Sequence, residues 1–359
     1  MKKLKIAQIA PLYESVPPKL YGGTERVVSY LTEELVKQGH HVTLFASGDS
    51  VTKATLIPVC DQSLRLSEGC EDQLVHHIAM LQMLLDKSHH FDLIHYHIDY
   101  LHFPLSRLIR LPHVTTLHGR LNIPDLKPLY SIFGDMPVIS ITHEQRKPLP
   151  DNHWVGNVYH GLPEDIFKPN YEPGKYLAFL GRISHEKRVD RAIDIAIRTG
   201  IPLKIAAKID KRDQGYFDQY IRHLLDHPLI EYVGEISERE KNEFLGNAVA
   251  LLFPIDWLEP FGLVMIESLA CGTPVVAYRK GSVPEVLQHG VSGFIVEHME
   301  DAVKAVQNIG LIDRQECRRV FEERFTAARM AADYLKVYNS VLELDKNIYQ
   351  LKLGNHALH

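Results

Sequence analysis

Two α/β domains, each a doubly wound parallel sheet, are what this sequence predicts, and three observations predict them. Short apolar runs alternate with segments of helical period along nearly the whole chain, the pattern of parallel strands joined by helical crossovers. The alternation breaks once, at residues 161–174, where three prolines and two glycines fall within fourteen residues, and then restarts. At 359 residues the chain is long for one domain and natural for two.

In the first half, strands are predicted at Leu4–Ile9, Val42–Ala46, Leu93–Tyr96, Val114–Leu117 and Val138–Ile141. These runs are apolar without alternation, as strands covered on both faces are. Val27, Val28, Leu31, Leu35 and Val36 fit a 3.6-residue period, so residues 24–37 read as a helix, stopped by Gly39. In the second half, strands are predicted at Tyr176–Leu180, Leu203–Ala207, Ile230–Val233, Val249–Phe253, Pro274–Ala277 and Phe294–Val296. Helices fall near 188–198, 217–225, 238–245 and 263–271, and further helices run from Asp301 to about Leu351. The expected boundary gives domains 1–160 and 161–335, facing each other across a cleft.

Composition narrows the function classes. Apolar content of 45% and charged content of 24% are those of a soluble globular chain. A net charge of −5 argues against nucleic acid as a partner. No stretch reaches eighteen uninterrupted apolar residues, and Met1-Lys2-Lys3-Leu4-Lys5-Ile6 enters a strand without an h-region or cleavage site. Cys60, Cys70, Cys271 and Cys317 form no CxxC spacing and read as reduced thiols. A cytoplasmic protein is expected, and basic Lys2, Lys3 and Lys5 leave room for peripheral membrane contact on the cytoplasmic face. His95 and His97 are two apart on a strand and face one way, but no Cys or carboxylate completes a metal ligand set, so no metal site is expected.

The most informative segment is Glu259-Pro260-Phe261-Gly262-Leu263-Val264-Met265-Ile266-Glu267. Two carboxylates lie eight positions apart around a Pro-Phe-Gly turn and the first apolar turn of a helix. Pro260 suits a helix start, and Gly262 removes a side chain that blocks close backbone approach. The segment reads as a helix N-terminus whose bare N–H groups bind an anion, flanked by carboxylates that accept from hydroxyls. An anion joined to a polyol is a sugar nucleotide.

Other residues point the same way with less force. Arg182 and Lys187, in Gly181-Arg182-Ile183-Ser184-His185-Glu186-Lys187, follow the first strand of the second domain and can reach one diphosphate, or are a solvated basic pair. Gly22-Gly23 lead straight into a helix, for phosphate approach or for the turn alone, and lack the GxGxxG spacing of a nicotinamide fingerprint. His118 ends a strand and is followed by Gly119; it serves a sugar hydroxyl or the structure. Arg146 is a weaker candidate for holding a leaving phosphate. Glu285 reads as a cap for its own short helix, and Lys208 and Asp210 as polar groups at a strand end.

Together these segments resemble the retaining glycosyltransferases of family 4, with the two-Rossmann-domain GT-B architecture. The resemblance runs over nearly the whole chain. Its most specific parts are the E-x7-E pair Glu259…Glu267 and Gly181-Arg182…Glu186-Lys187. It implies that Glu267 binds ribose hydroxyls and Glu259 lies near the transferred sugar. The amides of Phe261, Gly262, Leu263 and Val264 would hold sugar hydroxyls and phosphate. Arg182 and Lys187 would neutralise the diphosphate, Gly22 and Gly23 would touch it, His118 would hydrogen-bond the sugar, and the backbone near Tyr232, Val233 and Gly234 would hold the base. A C-terminal helix, about 336–359, would cross back to the first domain. Departures are Ala206-Ala207-Lys208-Ile209-Asp210 where many members have Gly-Asp-Gly, and His160-Gly161 where many have Asn-Gly.

The resulting expectation is a metal-independent hexosyltransferase, with no cofactor beyond a nucleoside diphosphate sugar, UDP-glucose foremost. The acceptor would be a sugar, glycan or glycolipid in polysaccharide or glycoconjugate synthesis, and anomeric configuration would be retained. The alternatives are an epimerase or hydrolase of sugar nucleotides on the same fold, which His95, His97 and His143 keep open, and a non-catalytic sugar-nucleotide sensor.

Overall fold

The computed structural model describes residues 2–356 except 20 and 110, with side chains through residue 346. Met1, Leu20, Arg110 and residues 357–359, the last three of the stretch 336–359 expected to be helical, lie outside the described residues. The chain forms two compact units. One comprises Met1–Ile141, Arg146–Tyr159 and Ala327–His359; the other comprises Thr142–Gln145 and His160–Thr326. The C-terminal contribution to the first unit therefore begins at Ala327, ahead of the position near 336 read from the sequence.

The first unit holds a parallel sheet of β1 (Lys5–Ile9), β2 (His41–Ala46), β3 (Thr55–Pro58), β4 (Leu93–Tyr96), β5 (His113–Thr116), β6 (Val138–Ser140) and β7 (Trp154–Asn157). Its order is β3-β2-β1-β4-β5-β6-β7. The sequence does not announce β3 and β7. Both lie at sheet edges, and each is four residues long and only partly buried, so neither carries the continuous apolar run that marks a central strand. Chain order reverses between β1 and β4, which makes that position a switch point, where ligands collect beyond the carboxyl ends of strands. The helix Ala327–His356 joins this unit. Gly156 on β7 admits it closely, since a Cβ there would stand 2.6 Å from a Val337 methyl.

The second unit repeats the plan with β8 (Tyr176–Arg182), β9 (Leu203–Lys208), β10 (Ile230–Gly234), β11 (Ala248–Phe253), β12 (Val275–Tyr278) and β13 (Gly293–Val296), in the order β10-β9-β8-β11-β12-β13. Its switch point lies between β8 and β11. The predicted helix at 217–225 is instead a π-turn, Phe217–Ile221, followed by a 3-10 segment, Arg222–Asp226. The Pro-rich segment at 161–174 is bound tightly within this unit. The guanidinium of Arg318 donates to the carbonyls of Phe167 (2.9 Å), Ala270 (2.8 Å) and Glu164 (3.2 Å). Arg314 does the same for Asn170 (2.7 Å), Gly246 (2.7 Å) and Ala248 (2.8 Å). Among the described residues no helix is long and apolar enough to cross a membrane.

Candidate active site

Both loops at the switch point of the second unit carry charged groups. Arg182 is the last residue of β8, and Lys187 lies in the turn before the helix Val189–Thr199. The loop after β11 contains Asp256, Trp257 and Glu259. Backbone and side chains tie the loops together: the Asp256 N–H donates to the Glu186 carbonyl (2.9 Å), and Arg188 (3.3 Å) and Arg191 (3.1 Å) pair with the Asp256 carboxylate. Arg188 is held at φ +56°, a left-handed conformation uncommon outside glycine.

This clamp brings Lys187 and Glu259 into an ion pair. Trp257 Nε1 donates to the same Glu259 oxygen (3.1 Å), and the Lys187 ammonium sits 5.1 Å from the Trp257 ring centroid and 5.5 Å from that of Phe253. Arg182 pairs with Glu186 and with Asp213 (3.3 Å). Burial opposes charge on Glu186, but its own backbone N–H and Arg182 hold its carboxyl below the ordinary value. Burial pushes Asp213 up, against the pull of Arg182. Both cations thus stand ready at the carboxyl edge with carboxylate partners that an anionic ligand can replace.

The helix Leu263–Ala270 begins after Gly262, at φ +81°, so Pro260 lies in the preceding turn and not at the first helical position. The first-turn amides of such a helix have no carbonyl one turn behind them. Three hydrogen bonds fix the approach. Thr142 Oγ1 donates to the Pro260 carbonyl (2.8 Å), Ser282 Oγ to that of Phe261 (2.7 Å), and the Ser282 N–H to that of Glu259 (3.0 Å). Gly281, at φ +52°, is required here because a Cβ would come within 2.4 Å of the Glu259 nitrogen. These hydrogen bonds hold the loop in one conformation, the kind of fixed frame on which electrostatic preorganisation depends.

Glu267, on the same helix, is 3% exposed and accepts from Lys241 Nζ (2.8 Å), which also pairs with Glu238 (3.2 Å). Val233 sits on β10, where the register with β9 shifts between Tyr232 and Gly234, a bulge that leaves it partly exposed. The Tyr232 hydroxyl donates to the Ala207 carbonyl (2.8 Å). Strands lie about 4.8 Å apart, so β10 stands roughly 10 Å from β8 across the sheet. Lys187 and Glu259 are therefore brought together, Arg182 stands at the end of β8 with its own partners Glu186 and Asp213, and Val233 and Glu267 mark other stations of the same unit.

Of the candidates in the first unit, Gly22 and Gly23 lie at its switch point, in the loop after β1, and His118 lies one strand further, after β5. Gly22 has φ +151°, and a Cβ on it would be 2.7 Å from Pro18 Cβ, so the loop after β1 closes tightly on it; Gly23 opens the helix Gly23–Lys37. His118 follows β5. Its Nε2 is 2.9 Å from His97 Nδ1, and its backbone N–H donates to the Asp99 carboxyl. Burial pushes the His118 imidazole down to about 3, so the ring is neutral at physiological pH.

Several expectations change. The Glu285 carboxylate does not cap its own helix; it accepts from the N–H groups of His143 (2.8 Å) and Glu144 (2.6 Å), capping the short helix His143–Arg146. Arg146 donates to Ser140 Oγ (2.6 Å) and the Gly156 carbonyl, and stacks at 5.1 Å on Trp154. It braces β6 against β7. His95 and His97 are buried in hydrogen bonds, and no group of metal-binding type occurs among the described residues. Lys208 ends β9 and Asp210 follows it, both partly buried. Sequence reasoning missed Thr142, Trp257, Asp213 and Lys241 as partners of the site. Trp257, two residues from Glu259, carried a legible signal, but the others are distant in sequence.

Comparison with known proteins fits this geometry. The model for Glycosyltransferase Family 4 matches residues 21–136, and that for Glycosyl transferases group 1 matches residues 163–324. The N-acetyl-alpha-D-glucosaminyl L-malate synthase of Bacillus anthracis is 25% identical, with 91% of this chain and 96% of that protein covered. A GDP-mannose-dependent alpha-(1-6)-phosphatidylinositol dimannoside mannosyltransferase of Mycobacterium tuberculosis is 31% identical over 44% of this chain and 42% of its own. Among solved structures, AviGT4, a glycosyltransferase involved in avilamycin A biosynthesis, superposes with a TM-score of 0.74 at 21% identity, covering 95% of this chain and 98% of its own. HepE of Anabaena in complex with UDP and glucose gives 0.72 at 16% identity, covering 94% and 100%.

Proposed function

Since the chain belongs to the group 1, family 4-like glycosyltransferases and has the GT-B fold, we propose that it moves a hexose from UDP-glucose to an acceptor hydroxyl with retention of anomeric configuration. The observation that carries this reading is the Lys187–Glu259 pair ahead of the helix Leu263–Ala270. The donor diphosphate exchanges with the carboxylates on Arg182 and Lys187. Glu259, released from Lys187, accepts from a sugar hydroxyl, and the amides of Phe261, Gly262, Leu263 and Val264 complete the cradle. Glu267, steadied by Lys241, accepts from the ribose hydroxyls, and the backbone around Val233 takes the base.

In the reaction the anomeric carbon–oxygen bond to the diphosphate breaks and negative charge develops on the departing oxygen. Fixed cations and amides stabilise that charge without a metal. The acceptor oxygen bonds the anomeric carbon on the face the phosphate leaves, and its proton passes to the departing phosphate oxygen. UDP-glucose is supported by the bound UDP and glucose of HepE, and a glycan or glycolipid acceptor by the mannosyltransferase relative. Peripheral membrane contact through Lys2, Lys3 and Lys5 suits a glycolipid acceptor.

The test is a thermal-shift panel of UDP-, GDP- and ADP-sugars, followed by product analysis. A true donor raises the melting temperature by mass action. UDP-glucose should give the largest rise and an α-linked product with acceptor present. Free glucose or an epimer without acceptor replaces this reading with a hydrolase or epimerase.

A further inference from the structure

Lys241, on the helix Glu238–Gly246, reaches across to the helix Leu263–Ala270, where its Nζ donates to Glu267 Oε1 (2.8 Å). The same ammonium pairs with Glu238 (3.2 Å). Both side chains of the Lys241–Glu267 pair are largely out of solvent, with exposures of 15% and 4%. Glu267 Oε2 has no hydrogen-bond partner among the described residues. One oxygen of this enclosed carboxylate is thus taken by a cation, and the other is left to accept.

Other contacts dock the helix that carries Lys241. Its far end is anchored through three successive carbonyls: Phe244 accepts from the Tyr176 hydroxyl (2.8 Å), Leu245 from Thr273 Oγ1 (2.8 Å) and Gly246 from Arg314 (2.7 Å). Its first turn is closed by a capping box, in which Glu240 accepts from the Ser237 N–H (2.7 Å). The helix therefore keeps its place without Lys241, and the ammonium acts on Glu267. The path of the chain joins the pair to the candidate base station. β10 ends at Gly234, whose φ of +78° turns the backbone, and only Glu235, Ile236 and Ser237 separate it from the helix. One short connection carries both Val233 and Lys241, and Glu267 belongs to the same unit.

We propose that Lys241 is a positioning residue, which holds one oxygen of Glu267 so that the other is presented to a ribose hydroxyl, and that the second unit thereby selects ribonucleotides over deoxyribonucleotides. This rests on the reading above that Glu267 accepts from ribose. An enclosed acceptor aimed at a hydroxyl rejects the analogue that lacks it, because the acceptor is then left unmatched. Without the ammonium the carboxylate is free to turn and its charge loses its compensation. The preference for a hydroxyl at that point is then lost, while the other contacts of the nucleotide remain.

The test is titration calorimetry of the full chain with UDP, GDP and ADP, and then with the 2′-deoxy and 3′-deoxy forms of the tightest binder. The readout is the larger ratio of deoxy to ribo Kd, which a purely structural role of Lys241 does not move. The wild-type ratio should be roughly 10–100, the scale of a hydrogen bond to a charged group. Glu267→Leu should bring it close to one. Lys241→Met, which keeps the stem, should lose most of it, and Lys241→Arg, which keeps the cation, should retain most of it. An unchanged ratio in Lys241→Met overturns the proposal whether or not overall affinity falls, and a low ratio in Glu267→Leu then leaves the ribose contact of Glu267 standing. If Lys241→Met does not melt cooperatively, Lys241→Gln replaces it; a neutral donor holds a carboxylate less strongly, so the ratio should drop severalfold, and an unchanged one overturns the proposal equally. A wild-type ratio near one, or no binding of any of the three nucleotides, removes the ribose reading of Glu267 and the proposal with it.

Discussion

Lys187 and Glu259, 72 positions apart in sequence, form an ion pair at the carboxyl edge of the second sheet, with Trp257 Nε1 donating to the same carboxylate. Both side chains are largely out of solvent, with exposures of 20% and 11%, so each charge compensates the desolvation of the other and an anion that takes Lys187 must supply that compensation in turn. That suits a device that opens for an anion more than one that only stabilises the fold.

Lys187→Met and Glu259→Gln should each lower kcat about 10²–10³-fold, or about 2.7–4 kcal/mol of barrier, if each contact resembles an oxyanion-hole donor. The double variant should lose less than the product of the two, because each single change leaves a charge without its partner. Steady-state kinetics beside thermal melts separates this from misfolding. Wild-type turnover in either single variant removes the pair from the chemistry.

Removing the carboxylate of Glu285 should affect stability before chemistry. Its two backbone acceptances, from His143 and Glu144, are those of a helix cap supplied from elsewhere in the chain. Glu285→Ala should cost about 1–2 kcal/mol in urea unfolding, the usual range for a lost cap. Glu285→Gln, which keeps one acceptor oxygen, should lose less.

Arg318 is 9% exposed and satisfies three carbonyls of the second unit. Arg318→Met keeps the stem and strands those acceptors, so a loss of at least about 3 kcal/mol is expected, at roughly 1–3 for each of the three carbonyls left unmatched. Chemical denaturation measures it. A neutral result would mean that water replaces the guanidinium.

Acid should destabilise the first unit through its neutral histidines. Burial holds the folded His118 value near 3, below the ordinary 6.5, and pushes His95 and His102 down as well. The unfolded chain therefore takes up protons first. The contribution is complete above pH 6.5 and is lost as pH falls toward about 3, at no more than about 1.4 kcal/mol per pH unit for each group. Urea midpoints should fall across that window, and His118→Asn should flatten the slope. A midpoint constant with pH would contradict the buried neutral ring.

Most central strands were legible because each is a largely apolar run, as in Val275–Tyr278 and Ala248–Phe253. Edge strands such as Thr55–Pro58 were not, since half-exposed residues carry no such signature. The Glu259–Glu267 segment was legible because its turn and carboxylates are contiguous. Its supports were not: Thr142, Ser282 and Lys241 reach it only once the chain has folded, and no local pattern marks a hydroxyl destined for a distant carbonyl.

Tyr334 and Tyr338 complete the interior of a unit whose first strand begins at Lys5. As the chain leaves the ribosome, residues 160–326 emerge after most of the first unit and before its last helix. The later-synthesised unit can thus mature while the earlier one still lacks two aromatic plugs and their hydrogen bonds. A truncation ahead of Tyr334 would take the Tyr338 hydroxyl from Gln8, made 330 positions earlier, and leave that buried amide without its acceptor.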